Sequence, residues 1–507
     1  MTTQFAVHIA RGSSYFIIQT VATNLISILS FAVLTRLITT EQMGILAVLL
    51  LVNSLCGTIG SFSLSSAVIK FIAEHWERGD KSSAASVFYQ ALRTTLILSV
   101  PLAVAVYFGA PLLSTTLLHQ TAYTAYFHYL AYDIVLTAGL KQVLFSAFVG
   151  LQKFKQQATV LIVNAAIRQG LIITLIILLH DFFGLVVAWV LADLSVTTMC
   201  FAYLLPILGG PKFNFETKRL LSFSWPLWLS DSVSFASGWF DRALLLIFVP
   251  LATLGIYNAT LTAFSVLVGI GNAAAGTLLP AFSSMHQNRR EDLVSALSRS
   301  TRYASFLLVP LAFGLFATAK PALTLFVGQA YLEGAEPLMI LAGTYAFTAV
   351  AVVIGPMLLA LGESRLASLS SVITVIVSLA FALVLAPPFG MFGAATARCA
   401  GAIFGTISVI LFLKRKMQLQ FDVDGIKKSL IAGAVMAGVL FFIETQFYSR
   451  YMTPVYIAIG GIVYLAMLRF LKAIRKDDID LISSYLGPKM AFASNLLSIL
   501  VSPTSEK

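Results

Sequence analysis

The chain has 507 residues, 58% of them hydrophobic and 11% charged, and a formal net charge of +11. Soluble domains carry about 25% charged residues, so a mean hydropathy of +0.90 excludes an ordinary soluble fold and reads as an all-α polytopic membrane protein. Cys56, Cys200 and Cys399 lie far apart in apolar runs, which excludes a disulfide framework and a cysteine metal site.

Crossing ~30 Å of hydrocarbon takes ~20 apolar residues. In chain order, runs of that kind fall near 15–35, 45–69, 94–116, 125–150, 158–179, 185–208 and 223–249. They continue near 256–284, 304–327, 338–361, 367–386, 391–413, 429–446 and 454–471, which predicts fourteen transmembrane helices. The first run is long enough to span, so it reads as a helix and not as a cleavable signal.

Between the runs, basic residues alternate sides. "KFIAEHWERGDKSS", "LQKFKQQ", "GPKFNFETKR", "MHQNRREDLVSALSRSTR", "GESR" and "KRKMQLQFDVDGIKK" share one side with the tail "KAIRKDD". The opposite connections "LLHQTAY", "HDFFG" and "VPLATLG" have no Lys or Arg. Of the 33 Lys and Arg residues, Arg36, Lys320 and Arg450 fall at that second face, and Lys141, Arg168, Arg242 and Arg398 fall inside spans. The positive-inside bias then predicts both termini in the cytoplasm of a multi-pass cell-membrane protein. The basic excess reads as topology and attraction to anionic lipid headgroups, not to nucleic acid. The loop "AEHWERGDKSSAASVFYQALR" and the tail segment "MAFASNLLSILV" are expected to be amphipathic interfacial helices.

The chain repeats itself. "LQKFKQQATVLIVNAAIRQGLIITLIILLHDFFGLVVAWVLA" aligns with "LGESRLASLSSVITVIVSLAFALVLAPPFGMFGAATARCA", Lys155 meeting Arg365, and Gly44 in "TRLITTEQMGILAV" aligns with Gly255 in "LIFVPLATLGIYNA". Six spans separate the copies, and an even number preserves orientation, so a parallel repeat is predicted. The expected divisions are a six-helix lobe at 1–210, a second at 211–415, two additional helices at 416–475 and a cytoplasmic tail at 476–507.

Charges inside spans are costly and face a bundle interior or a wet cavity. Span 7 carries Asp231, Asp241 and Arg242; Asp231 and Arg242 are eleven residues apart, hence within about 20° on a helical wheel. Span 4 carries Asp133, Thr137 and Lys141 at i, i+4 and i+8, while Arg168, Asp193 and Arg398 sit in spans 5, 6 and 12. One reading is a cationic cavity in which Lys141, Arg168, Arg242 and Arg398 hold a phosphate or pyrophosphate, Arg offering a fork of donors. The other is Arg–Asp pairs that lock helices, across the two lobes for Asp193, Asp241, Arg242 and Arg398. Asp133 and Asp193 are candidates for H+ or Na+ coupling, Asp231 and Asp241 for charge pairing; no metal or organic cofactor is expected. Trp225 and Trp228 open span 7 and read as an interfacial aromatic belt; Trp239 is deeper. Pro226, Pro280, Pro310 and Pro356, with Gly269, Gly271 and Gly276, are candidate bending points.

Fourteen spans, a six-plus-six repeat, "LGESRLASLSSVI…APPFGMFGAATA" and the opening "RGSSYF…RLITTEQMGILAV" resemble the polysaccharide-transporter (O-antigen flippase) family of the multidrug/oligosaccharidyl-lipid/polysaccharide transporter superfamily. The resemblance covers residues 10 to about 470. It implies two six-helix lobes around a central cavity and alternating access that carries a lipid-linked sugar, on polyprenyl phosphate or pyrophosphate, to the outer leaflet. Polysaccharide-assembly proteins are the implied partners. A cation-coupled multidrug antiporter of the same superfamily is the closest rival; those typically have twelve spans and an acid in the first helix, whereas "YFIIQTVATNLISILSFAVLT" has none. A membrane polysaccharide polymerase or ligase would need catalytic groups in a sizeable outer loop, whereas the outer loops here have about ten residues or fewer, with His119 near a span and His180 starting a short loop.

Overall fold

The structure, a computed structural model, describes residues 2–286, 290–416 and 421–473. Every regular element among them is helical. The chain divides into two compact units, Met1–Gly255 and Ile256–Lys507. This division by packing falls one helix later than the repeat boundary at 210.

The first unit comprises α1 (Thr2–Leu37), α2 (Thr40–Ser61), α3 (Leu64–Glu77), α4 (Lys81–Phe108), α5 (Ala110–Leu117), α6 (Thr124–Ile134), α7 (Gln142–Gly150), α8 (Phe154–Leu179), α9 (Phe183–Leu208) and α10 (Thr217–Phe248). Between α6 and α7 the backbone widens into a π-helix over Val135–Lys141, so that 121–150 is one span. Local chemistry sets the starts of these helices. Thr39 and Gln42 form a capping box, the Thr39 hydroxyl accepting from the Gln42 amide at 3.2 Å while the Gln42 side chain accepts from the Thr39 amide at 3.0 Å. Asp80 caps α4 by accepting from the Ser83 amide at 3.0 Å, and that bonding holds its carboxyl below the usual carboxylate range.

Two expectations are corrected here. The apolar run 45–69 is not one span: Phe62 and Ser63 both adopt left-handed backbone, with φ of 44° and 52°, which ends α2 and sets α3 off in a new direction. The loop expected as a single interfacial helix is instead the end of α3, a turn at 78–80 and the first turns of the membrane helix α4. The apolar face of α3 is covered by protein: Phe71 and Ile72 join Phe88, Phe148 and Cys200 in the core of this unit.

The second unit comprises α11 (Leu251–His286, whose first turn belongs to the first unit), α12 (Arg290–Ala317), α13 (Ala319–Phe326), α14 (Ala335–Thr348), α15 (Ala351–Ala360), α16 (Ser364–Lys416), α17 (Val423–Gln446) and α18 (Thr453–Phe470). α16 runs for 53 residues but breaks at Gly390, whose φ of 53° and ψ of −129° suit only glycine, just after Pro387 and Pro388. α10, α11 and α12 run unbroken through Pro226, Pro280 and Pro310. The bend near Pro356 lies instead at residues 349–350, where two helical segments meet at 49°. The two C-terminal helices pack on α12. The Arg302 guanidinium meets the Asp422 carboxylate at 3.2 Å, Asp422 caps α17 through the Gly425 amide, and Ser429 donates to the Ser305 carbonyl at 3.0 Å. All these groups are buried or nearly so, which shields the pair from water.

Among the described residues, 11 helices are long and apolar enough to cross a membrane, or 12 if the bent pair over 329–360 is one span. The expected count of fourteen stands above this. The difference lies at α16, counted once although broken at Gly390, and at α10, whose acids and Ser residues keep it below the apolar threshold. The tail segment at 490–501 lies outside the described residues.

Candidate functional site

α10 makes its contacts on α2, α3 and α4 within the first unit. Between α2, the π-helical stretch and α10 lies a polar cavity of about 410 Å³, lined among others by Asn53, Thr58, Ser61, Thr137, Lys141 and Asp231. So much polar surface inside an apolar bundle is expensive unless it faces water or a ligand.

Behind this wall four intramembrane charges of the first unit gather. Lys141 Nζ lies 2.7 Å from Asp193 Oδ1, and Arg168 approaches Asp193 Oδ2 at 3.5 Å. Asp193 is fully buried, whereas the Lys141 and Arg168 side chains keep 13% and 22% of their surface. Asp133, also fully buried, accepts from the Asn53 amide group at 3.1 Å and lies among Asp193, Arg168 and Lys141. Thr137 donates to Asn53 at 3.4 Å and to the Asp133 carbonyl at 2.8 Å. Two acids and two bases therefore share one low-dielectric site with no formal net charge, the arrangement that lets buried ions persist.

The local fold explains how Lys141 reaches it. The π-helical turn changes the angular step between Asp133 and Lys141, and the Thr95 hydroxyl on α4 donates to the Gly139 carbonyl at 2.5 Å. A Cβ on Gly139 would sit 2.5 Å from the Ser99 hydroxyl. π-Bulges often mark functional positions. The Arg168 guanidinium stacks over the Trp189 ring at 4.9 Å, which fixes its plane.

The other predicted residues lie elsewhere. Asp231 shares the cavity with Lys141, but its partner is Ser63, whose hydroxyl donates to Asp231 Oδ2 at 2.5 Å. It does not pair with Arg242, three turns or ~16 Å along the same helix. Arg242 stacks over Trp239 at 4.5 Å and donates to the Gly238 carbonyl at 3.3 Å. Asp241 is fully buried and accepts from the Arg242 backbone amide at 2.9 Å. Arg398 is half-buried on α16 in the second unit. The Asp193 carboxylate is taken up by Lys141 and Arg168 inside its own unit. Sequence reasoning missed Asn53 and Ser63. Asn53 was detectable as the amide within "LLLVNSLCG", since such a residue in a span seeks a partner on another helix. Ser63 owes its role to the left-handed turn, which no pattern announced.

A described cluster of three or more metal-binding side chains (His, Cys, Asp, Glu) is absent among these residues. The polysaccharide biosynthesis protein family matches residues 9–286, more than half of the chain. The chain belongs to that family. The lipid II flippase MurJ family matches residues 211–461. Among curated relatives, the probable low-salt glycan biosynthesis flippase Agl15 of Haloferax volcanii is 26% identical over 58% of this chain and 61% of its own. The succinoglycan biosynthesis transport protein ExoT of Rhizobium meliloti is 26% identical over 63% of each chain. The match thus spans under two thirds of those relatives' lengths. In fold, the chain is similar to a lipid II flippase MurJ in an inward closed conformation, with a TM-score of 0.75 and 15% identity over 92% of this chain and 99% of that one. An inward-facing multidrug resistance MATE family transporter of the MOP superfamily is less similar, with a TM-score of 0.58 and 15% identity over 83% and 95%. The family and the all-α membrane fold agree with the resemblance carried by the sequence motifs.

Proposed function

We propose that this protein is a flippase that moves lipid-linked oligosaccharide or polysaccharide precursors across the cytoplasmic membrane by alternating access. The observation that carries the reading is the polar cavity between membrane helices with Lys141 on its wall and three further charges, Asp133, Asp193 and Arg168, behind it. A lipid-linked sugar is an amphiphile with an anionic phosphate and a hydroxyl-rich head, and both need such a path through hydrocarbon. Membership in the polysaccharide biosynthesis protein family, and relatives named as glycan flippase and succinoglycan transporter, support the same cargo class. Lys141 and Arg168 would attract the polyprenyl phosphate or pyrophosphate, in exchange for part of their hold on Asp193. Arg242 and Arg398 are further candidates on the same grounds of charge.

Asp133 and Asp193, two carboxylates among two cations, are the proposed point of H+ or Na+ coupling. Loading or losing one cation there changes the charge balance that Lys141 and Arg168 feel. No hydrolytic or synthetic step is assigned to the protein, and polysaccharide-assembly proteins are its proposed partners. Both termini are proposed to be cytoplasmic; a reporter fused after Leu254 would read external, and a cytoplasmic readout there would overturn the orientation.

The test is translocation in proteoliposomes loaded with lipid-linked glycan extracted from cells that lack this protein. Glycan should become accessible to an impermeant glycosidase on the far side only with the protein present, and Lys141→Met should slow this when rates are normalised to the amount of folded protein. Equal rates with and without protein would refute the flippase. Export of cationic dyes by the same vesicles would support the multidrug antiporter instead.

A further inference from the structure

We propose that the end of the cavity nearest Asp231 is a saccharide-binding subsite, with Asp231 accepting from sugar hydroxyls and Trp225 stacking on a sugar ring. The proposal rests on the flippase reading and names how the head of the cargo is recognised. Trp225, Trp228 and Asp231 follow one another at i, i+3 and i+6 on α10, within an arc of about 120°. Phe62, at the left-handed turn between α2 and α3, closes against them. Its ring stacks on Trp228 with centroids 5.2 Å apart and 21° between planes, while Trp228 stacks on Trp225 at 5.3 Å and 27°. A tilted contact between Phe62 and Trp225 at 6.0 Å completes the cluster.

Two observations tie this cluster to the cavity and not to the lipid boundary alone. The Trp228 indole N–H donates to the Thr58 carbonyl at 3.0 Å, and Thr58 is a cavity residue. Ser63, adjacent to Phe62, donates to Asp231, also a cavity residue. Trp225 is 50% exposed and lies beside the cavity, its ring held by Trp228 and Phe62. Asp231 is exposed as well, so its carboxylate has acceptor capacity beyond the bond from Ser63.

This donor and acceptor set matches a sugar. A pyranose has one apolar C–H face for an aromatic ring and a rim of hydroxyls that donate to a carboxylate and to Ser and Thr oxygens, as Ser61 and Ser65 offer here. An anionic phosphate would be repelled by Asp231 and drawn to Lys141, which gives the cargo a direction: sugar toward Asp231, phosphate toward Lys141. At about 410 Å³ the cavity falls within the ~300–1,000 Å³ of small-molecule sites.

The experiment compares two ligands on the full chain in lipid nanodiscs: lipid-linked glycan from cells lacking this protein, and the same carrier lipid after the glycan is removed. The wild type should bind the glycosylated lipid more tightly. Asp231→Asn and Trp225→Ala should each weaken that binding about tenfold, the size expected for a hydrogen bond to a charged group or one aromatic stack, and leave the sugar-free lipid unchanged. Trp225→Phe should recover part of the loss, since the ring and not the N–H does the stacking. Equal weakening for both lipids, or no weakening, overturns the subsite. Wild-type binding of the sugar-free carrier that the glycan does not improve overturns the subsite and leaves the flippase standing, whereas binding of neither lipid overturns both.

Discussion

Removing the Asp193 carboxylate is the sharpest test of the buried charge cluster. Asp193 is fully buried, and its two oxygens face Lys141 at 2.7 Å and Arg168 at 3.5 Å. At an effective dielectric of about 20, a 2.7 Å pair attracts by about 6 kcal/mol, much of which the cost of taking both ions out of water cancels. Asp193→Ala deletes the attraction but leaves two cations in place, with only Asp133 to balance them. Breaking such a pair from one side costs about 3–5 kcal/mol. We expect Asp193→Ala to lower the thermal midpoint in detergent and the yield of folded protein markedly. The double variant Asp193→Ala with Lys141→Met removes both ends of the short contact, and should regain most of the lost stability without regaining transport. The assay is a double-mutant cycle on unfolding in mixed micelles, with Lys141→Met as the fourth corner. A coupling energy below about 0.5 kcal/mol, the size of an exposed surface pair, would refute a buried pair at these positions.

Gly44 and Gly255 should tolerate no side chain: a Cβ would lie 2.0 Å from the Leu251 carbonyl oxygen at the first and 2.0 Å from that of Thr40 at the second. Gly44→Ala should cost about 1–3 kcal/mol or more by overpacking, whereas Gly170→Ala on α8, with open space around it, should gain a few tenths from helix propensity; equal stabilities of the two variants would refute the close packing. Gly390→Ala should cost about 1–3 kcal/mol, because no other residue adopts that backbone without strain, and an unchanged melting point would show that α16 does not break there. Asp80→Ala should destabilise the start of α4 at neutral pH. Because the folded carboxyl is held below its unfolded value, its contribution is fully present above about pH 4 and lost as pH falls through the folded value, so the gap between variant and wild type should close in acid; a gap that widens in acid would contradict the cap.

The membrane class, the helical content and the family were legible because hydrophobic run length and the motif residues are local properties of the chain. Span boundaries were less legible where the backbone did something a hydropathy window cannot see. Phe62 and Ser63 are ordinary residues forced into left-handed geometry, so "SFSLSS" gave no glycine to mark the turn. The Pro residues at 226 and 310 do not end their helices, since helices in a bundle re-satisfy the freed carbonyl and run on. For the site, sequence singled out every charged member of the cluster, because a charge in an apolar run is conspicuous. It could not say which charges meet. The helical wheel grouped Asp231 with Arg242, but a shared stripe is a statement about direction, and along the axis the two are too far apart to touch.

That distinction also orders the site. Charges that meet are those brought together by different helices at one depth: Asp133 and Lys141 from the span around the π-helix, Arg168 from α8, Asp193 from α9. Because the sum of formal charges there is zero, the cluster by itself offers an anion no net attraction. An incoming phosphate can be held only if Asp193 gives up part of Lys141 or Arg168, or if one carboxylate takes a cation from solution. Under the proposed coupling, cargo binding and cation loading would be linked through the same four side chains, and by reciprocity each would change the affinity for the other. A flippase built on this cluster should bind its phosphate-bearing cargo more tightly when the carboxylates are loaded; identical affinities with and without the coupling cation would separate the two events and leave Asp133 and Asp193 as helix locks alone.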